Sequence, residues 1–163
     1  NHYILKTLSS AATFQKLLVK YGTTPLPPYI KNSPLTEKQA RKEYQTVFAK
    51  TLGSVAAPTA SLHFTKPLLS QLKKQGVKIE YVTLHVGLGT FATLTEKNIK
   101  QKKLHSEFFH IDTKTAERLN KYKALGYPII PVGTTAVRTL ESAANRRGKI
   151  TKLSGNTTLF IQE

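Results

Sequence analysis

The stretch Val77–Phe91, VKIEYVTLHVGLGTF, sets the fold class. Val77 to Val86 alternates or runs apolar, the pattern of a half-buried or fully buried strand. Gly87-Leu88-Gly89-Thr90 then breaks it. Just upstream, Pro67 to Gln75 predicts a short helix, with Pro67 in its first turn and Gly76 as terminator. Downstream, Thr95 to Lys103 predicts a basic helix and His105 to Ile111 a strand. Asp112 or Thr113 can cap a helix over Lys114 to Leu125, ended by Gly126. Tyr127 to Val132 predicts a short apolar strand, and Gly133-Thr134-Thr135 turns it into a helix over Ala136 to Arg146. Strands alternating with helices predict an α/β architecture with a mixed, partly parallel sheet.

Farther out, Ser10 can cap a helix to Tyr21 in which Phe14, Leu17, Leu18 and Tyr21 share a face. Pro25-Leu26-Pro27-Pro28-Tyr29-Ile30 cannot be helix interior and favours extended geometry. Gly22 to Pro34 therefore predicts a boundary between two units. Thr36-Glu37-Lys38-Gln39 matches a capping box and starts a helix that carries through Tyr44. Leu52 to Leu62, rich in small residues and interrupted by Pro58, predicts a loop or a close backbone approach. Thr158 to Glu163 reads as a strand with nothing after it. With no initiating methionine, that ending points to a piece of a longer protein.

The 163 residues suffice for one domain with a core, and 39% hydrophobic residues argue against disorder. No apolar run approaches the roughly 20 residues that span a bilayer, and no apolar leader opens the chain. Cysteine is absent, which excludes disulfides and thiolate metal sites and fits a cytoplasmic location. Twenty-five basic residues against 9 acidic ones give a net charge of +16. Such a surface fits a polyanionic partner, nucleic acid above all, because each neutralised phosphate releases counterions. The alternative is a merely solvated lysine-rich surface.

Two segments have the form of ligand loops. His85, Gly87, Gly89 and Thr90 follow a strand, and in α/β sheets ligands gather at strand ends, where glycines let backbone N–H groups approach them. The competing reading is a tight turn beside a core histidine. Gly133, Thr134 and Thr135 open a helix whose first N–H groups and positive dipole end suit a carboxylate, phosphate or ribose hydroxyl. Arg138 can clamp an anion there, or pair with Glu141 three residues on. The competing reading is a helix cap and a surface ion pair. His63, His85 and His105 all lie at junctions between elements, where imidazole suits proton transfer near neutral pH. They lack metal-ligand spacing, so no metal is expected. Lys97, Lys100, Lys102 and Lys103 form one basic group. Arg146 and Arg147, with Lys149 and Lys152, form another, and either can track phosphates.

Taken in order, these segments resemble a known family. The series is Pro25 to Ile30, Tyr44 to Ala49, Gly53 to Ala60, Leu62-His63-Phe64-Thr65, Val82 to Phe91, His105-Ser106-Glu107, and Val132 to Thr135 followed by Val137 to Ser142. It resembles the S-adenosylmethionine:tRNA ribosyltransferase-isomerases of queuosine biosynthesis over nearly the whole chain. The resemblance implies transfer of the ribosyl part of S-adenosylmethionine to 7-aminomethyl-7-deazaguanine at the tRNA wobble position. The ribose rearranges to give epoxyqueuosine, and adenine and methionine leave. It also implies a barrel-like α/β catalytic domain with flanking helices, with a smaller β-rich domain inserted. Residues 1–34 would then be the tail of the inserted domain with a Pro-rich linker, and 35–163 part of the catalytic domain. S-adenosylmethionine would be a substrate, tRNA the partner, and no membrane or obligate protein partner is implied.

On that basis His63, His85 and His105 are candidates for proton transfer, with Glu107 second. Thr59, Thr65, Gly87, Gly89, Thr90, Phe91, Gly133, Thr134, Thr135, Arg138 and Glu141 are candidates for holding the donor. Lys97, Lys100, Lys102, Lys103, Arg146 and Arg147 are candidates for tRNA contact. Two departures stand out. Ser61 replaces the usual glycine before Leu-His-Phe-Thr, and Ala92-Thr93 replaces the usual Arg-Pro. The alternative function is a non-catalytic basic RNA-binding module, which predicts aromatics among the basic runs. Lys97 to Lys103 contains none. A nucleotide-binding enzyme of another class would need a phosphate-loop pattern that the chain lacks.

Overall fold

Local signals place most of the helices. Each of five has a capping residue at its start whose side-chain oxygen accepts from the first turn. Ser10 caps α1 (Ala11–Tyr21), Thr36 caps α2 (Glu37–Glu43) and Thr65 caps α3 (Lys66–Lys74). Thr95 caps α4 (Glu96–Gln101) and Asp112 caps α5 (Thr113–Ala124). The capping box foreseen at Thr36 is complete, and Thr95 makes a second one with Asn98. The sixth helix, α6 (Gly133–Ala143), differs: its cap is Val132, and no side chain bonds its first N–H groups. The computed structural model describes residues 6–30, 32–91 and 94–161, with the side chains of Leu88 and Lys97 left aside. The Ala92-Thr93 departure, Gln162 and Glu163 of the expected last strand, and residues 1–5 and 31 of the expected N-terminal unit lie outside the described residues.

Among the described residues the chain is mixed α/β, with six helices and one three-stranded sheet in the order β1 (Thr83–His85), β2 (Lys103–His110), β3 (Ser154–Leu159). Both pairings are antiparallel, and the sheet is not closed into a barrel. The expected parallel component is therefore corrected. The strand expected over Tyr127–Val132 does not form, and that segment pairs with no described strand. Pro128 and Pro131 supply no N–H to a ladder there, and Ile130 stays exposed. The strand expected over Val77–Val86 shrinks to Thr83–His85, the three residues that face β2. On its other edge, Val55 N–H donates to the Val86 carbonyl at 3.0 Å. The Ser54 hydroxyl donates to the Leu84 carbonyl and accepts from Val86 N–H, each at 3.1 Å. The small-residue loop thus covers the edge of β1, and ends in a 3-10 turn over Thr59–His63.

Register sorts the two faces of the sheet. Leu84, Phe109 and Gly155 lie in one row, with Glu107 opposite Thr157 on the same face. Leu84, Val86, Phe109 and Ile111 pack there with Ala116 of α5 and Ala143 of α6 to form the core. The opposite face carries Thr83, His110 and Ser154 in one row and His85, Phe108 and Asn156 in the next. A register shift between Lys103 and Glu107 interrupts β2 near His105.

At the N-terminal end, α1 buries none of its residues, so its apolar face finds no cover among the described residues. It is held by polar bonds instead. Arg41 donates to the Val19 carbonyl at 2.6 Å and to that of Gly22 at 2.5 Å. Glu37 accepts from the Thr24 N–H and hydroxyl and from Arg41. This spans the Gly22–Pro34 boundary that composition marks.

Candidate functional site

The sheet's core face and the start of α6 enclose a cavity of about 390 Å³, within the usual range of small-molecule clefts. Leu84 and Val86 supply apolar wall, and Gly89 and Thr90 come from the loop after β1. His105 and Glu107 come from β2, and Thr134, Thr135 and Arg138 from α6. The segments singled out in sequence therefore converge, though only in part.

At the cavity wall lies a buried ion pair between Arg138 and Glu107, whose side chains are 8% and 3% exposed. Each Glu107 oxygen has its own donor: Arg138 on Oε2, and the Thr90 hydroxyl at 2.8 Å on Oε1. Arg138 Nε also donates to the Leu159 carbonyl at 3.1 Å. Longer contacts of 3.4 Å reach the carbonyls of His105 and Thr157. One guanidinium thereby ties α6 to β2 and to the end of β3, while Thr90 ties the glycine loop to the same carboxylate. Arg138 pairs with Glu107 and not with Glu141, which is exposed. The anion that Arg138 holds is one the chain itself provides.

The uncapped start of α6 is the second feature. Gly133 has φ +81°, a left-handed conformation that favours glycine. Thr134 and Thr135 line the cavity, yet neither caps the helix. The first-turn N–H groups therefore remain available as donors at the positive end of the helix dipole. The third feature is His105. A Cβ on Gly89 would sit 2.4 Å from the His105 ring, so the loop lies flat against the imidazole.

The three histidines do not meet. Alternation along β1 sends His85 to the face opposite Leu84 and Val86, where it stacks on Phe108 at 6.0 Å. Its ring also lies against Gly53, whose added Cβ would come within 2.4 Å of Nδ1. His63 and Thr59 are exposed on the 3-10 turn, which abuts α6 through a 3.4 Å approach between Ala60 and the Cβ position of Gly133. Thr65 is spent capping α3, with Leu68 N–H at 3.3 Å. Gly87 is exposed and Phe91 half-buried at the two ends of the loop. Ser61, one of the two departures, is buried in the 3-10 turn.

Sequence reasoning missed Asn98 and Leu104, which also line the cavity. Asn98 was visible as the third helical residue after Thr95, but that pattern only announces a cap. Lys100, Lys102 and Lys103 are exposed along and just after α4, the helix that brings Asn98 to the cavity. Lys100 pairs with Glu96 at 3.7 Å. Lys97 lies on the same helix, its side chain outside what is described. Arg146 and Arg147 lie in a turn elsewhere. Among the described residues no three His, Cys, Asp or Glu side chains are grouped to hold a metal ion. No described helix is long and apolar enough to cross a membrane.

The profile of the family described as queuosine biosynthesis protein matches residues 2–163. The chain belongs to that family. Among its relatives are proteins named S-adenosylmethionine:tRNA ribosyltransferase-isomerase. One from Clostridium kluyveri is 48% identical over 149 residues, 91% of this chain and 42% of the relative. One from Treponema denticola is 52% identical over 145 residues, 88% of this chain and 41% of the relative. One from Clostridioides difficile is 47% identical over 148 residues, 91% of this chain and 42% of the relative. The chain thus spans about two-fifths of the length of these queuosine biosynthesis relatives.

Proposed function

We propose that this protein transfers and isomerises the ribosyl moiety of S-adenosylmethionine onto 7-aminomethyl-7-deazaguanine at the tRNA wobble position. Epoxyqueuosine forms, and adenine and methionine are released. The observation that carries this reading is the family match over residues 2–163, with 48–52% identity to ribosyltransferase-isomerases of Clostridium kluyveri and Treponema denticola. On the same reading residues 35–163 are part of a catalytic domain that closes into a barrel with the rest of the protein. Residues 1–34 are then the tail of an inserted domain and its linker, and the enzyme acts in the cytoplasm.

The cavity suits the donor. Its apolar wall at Leu84 and Val86 excludes water from a ligand's apolar parts, and the uncapped N–H groups of α6 can donate to a carboxylate or to ribose hydroxyl oxygens. Proton removal next to a sulfonium needs a base within hydrogen-bond reach of the substrate. Of the three histidines, His105 alone lines the cavity among the described residues, so it is the base we favour. Glu107, held at both oxygens, positions Thr90 and Arg138 around the ligand. His63 and His85 do not line this cavity. Lys100, Lys102, Lys103, Arg146 and Arg147 remain candidates for tRNA contact, with Lys97.

Adenine release from S-adenosylmethionine, with and without tRNA carrying the modified wobble base, tests the reading in the full-length protein. The His105→Ala variant should lose about 10²–10⁴-fold in turnover, the usual worth of a general base. His63→Ala and His85→Ala should lose less than tenfold. Absence of adenine release by the native protein would sink the function. Normal turnover in His105→Ala would sink only the assignment of the base.

A further inference from the structure

We propose that the hollow between the last turn of α5 and the turn Asn145–Lys149 is a docking groove for an RNA phosphate backbone. The inference rests on the reading that the protein acts on tRNA, and adds to it where the RNA is held. The hollow measures about 570 Å³ and is lined by Asn120, Lys121, Lys123, Ala124, Arg147 and Lys149. Four of these six are cations, and none is an acid.

A surface that merely solvates lysines pairs or scatters them. Here none of the four cations has an ion-pair partner among the described residues, whose ion pairs involve Arg41, Lys100, Arg118 and Arg138. Two come from a helix and two from a turn 24 or more residues away, so local sequence alone does not gather them. The dipole of α5 favours Lys121 and Lys123 at its end, but does nothing for Arg147 and Lys149.

The frame that brings like charges together is rigid. Asn120 donates to the Ile150 carbonyl at 3.0 Å and accepts from Ile150 N–H at 2.8 Å, bolting the turn to the helix. Ala144 bridges Ile150, and the Asn145 side chain accepts from Arg147 N–H at 3.0 Å and Lys149 N–H at 3.1 Å. Gly148 takes φ +70°, and the Lys123 ammonium occupies the place its Cβ would fill. The side chain of Lys123 is thus laid across the turn. A concave, rigid set of cations, with no acid in the lining and no ion-pair partner among the described residues, fits successive phosphates of a folded RNA. A membrane surface would call for a broad apolar face among the lysines; of the lining only Ala124 is apolar, and the exposed Leu125 and Tyr127 just beyond it do not line the hollow.

The test uses full-length protein and tRNA, with binding measured by fluorescence anisotropy across a salt series. The variant carries Lys121→Ala, Lys123→Ala, Arg147→Ala and Lys149→Ala. Its plot of log K against log salt should flatten by about 3, at roughly 0.7–0.9 per lost phosphate contact. The KM for tRNA should rise at least tenfold, with the KM for S-adenosylmethionine unchanged. A charge-preserving variant, with the lysines made Arg and Arg147→Lys, should keep the native slope. Lys73→Ala with Lys74→Ala, on exposed α3, should also keep it. If the native protein binds tRNA and the fourfold variant keeps its slope and KM, the groove is refuted and the proposed function stands. If the native protein binds no tRNA, both fall. Loss of binding to anionic vesicles with an unchanged tRNA slope refutes the groove in favour of a membrane contact.

Discussion

Replacing Arg138 by methionine should be among the most destabilising single changes in this chain. The side chain keeps its stem, so packing changes little, but the charge that balances Glu107 is gone. Glu107 is 4% exposed and would keep only the Thr90 hydroxyl, on one of its two oxygens. The Leu159 carbonyl would lose its 3.1 Å donor as well. Removing one partner of a buried pair costs about 3–5 kcal/mol. With a urea dependence of about 2 kcal/mol per molar, the unfolding midpoint should fall by about 1.5–2.5 M. Glu107→Gln should cost less, because the guanidinium left behind still has the Leu159 carbonyl and two longer carbonyl contacts. The double variant should recover most of the loss, since removing both charges of a buried pair is often nearly neutral. Urea unfolding of the full-length protein, followed by circular dichroism, reads all three. A midpoint shift below about 0.5 M for Arg138→Met, or a double variant no better than that single, would refute the reasoning.

Gly89→Ala should strain the cavity, because the new methyl meets the His105 ring at 2.4 Å. Overpacking of this kind costs about 1–3 kcal/mol, and calorimetry should show weaker S-adenosylmethionine binding; native affinity and Tm would contradict it. Asp112→Ala removes the acceptor for Lys114 N–H at 3.0 Å and Thr115 N–H at 3.4 Å. Losing that cap should cost about 1 kcal/mol, a fall in Tm of about 2–4 °C by calorimetric scanning. The Glu37 carboxyl is held below its ordinary value of 4.5, first by the Thr24 hydroxyl and then by Arg41. A folded value below the unfolded one means its support for the α1–α2 clamp is complete above about pH 4.5, and fades as pH falls through the lower folded value. Protection of the α1 amides against exchange, taken relative to the intrinsic rate at each pH, should therefore fall in acid in the native protein. It should be flat over that range in Glu37→Gln, and an acid limb that survives in the variant would place the effect elsewhere.

The sequence by itself determined the helices, and much of the chemistry they present. Ser10, Thr36, Thr65, Thr95 and Asp112 act through bonds to residues two or three positions away, so their effect is written locally. The α/β class and the candidate loop Gly87–Phe91 follow from the same short-range patterns. Period two along Leu84-His85-Val86 already implied that His85 turns away from its neighbours. Their placement at element junctions, by contrast, does not say which of His63, His85 and His105 share a site. Strand pairing lay beyond local reach. Val77–Val82 and Tyr127–Val132 are apolar enough for strands, but a strand exists only where a partner offers its N–H and C=O groups, and the two prolines of the second withhold theirs. The partner of Arg138 was equally hidden. Glu141 is nearer in sequence, but Glu107, 31 residues away, is the acid that folding buries beside it. Desolvation decides that choice: a charge taken out of water must find its counter-charge in the same dry place, and only the tertiary structure says which one is there.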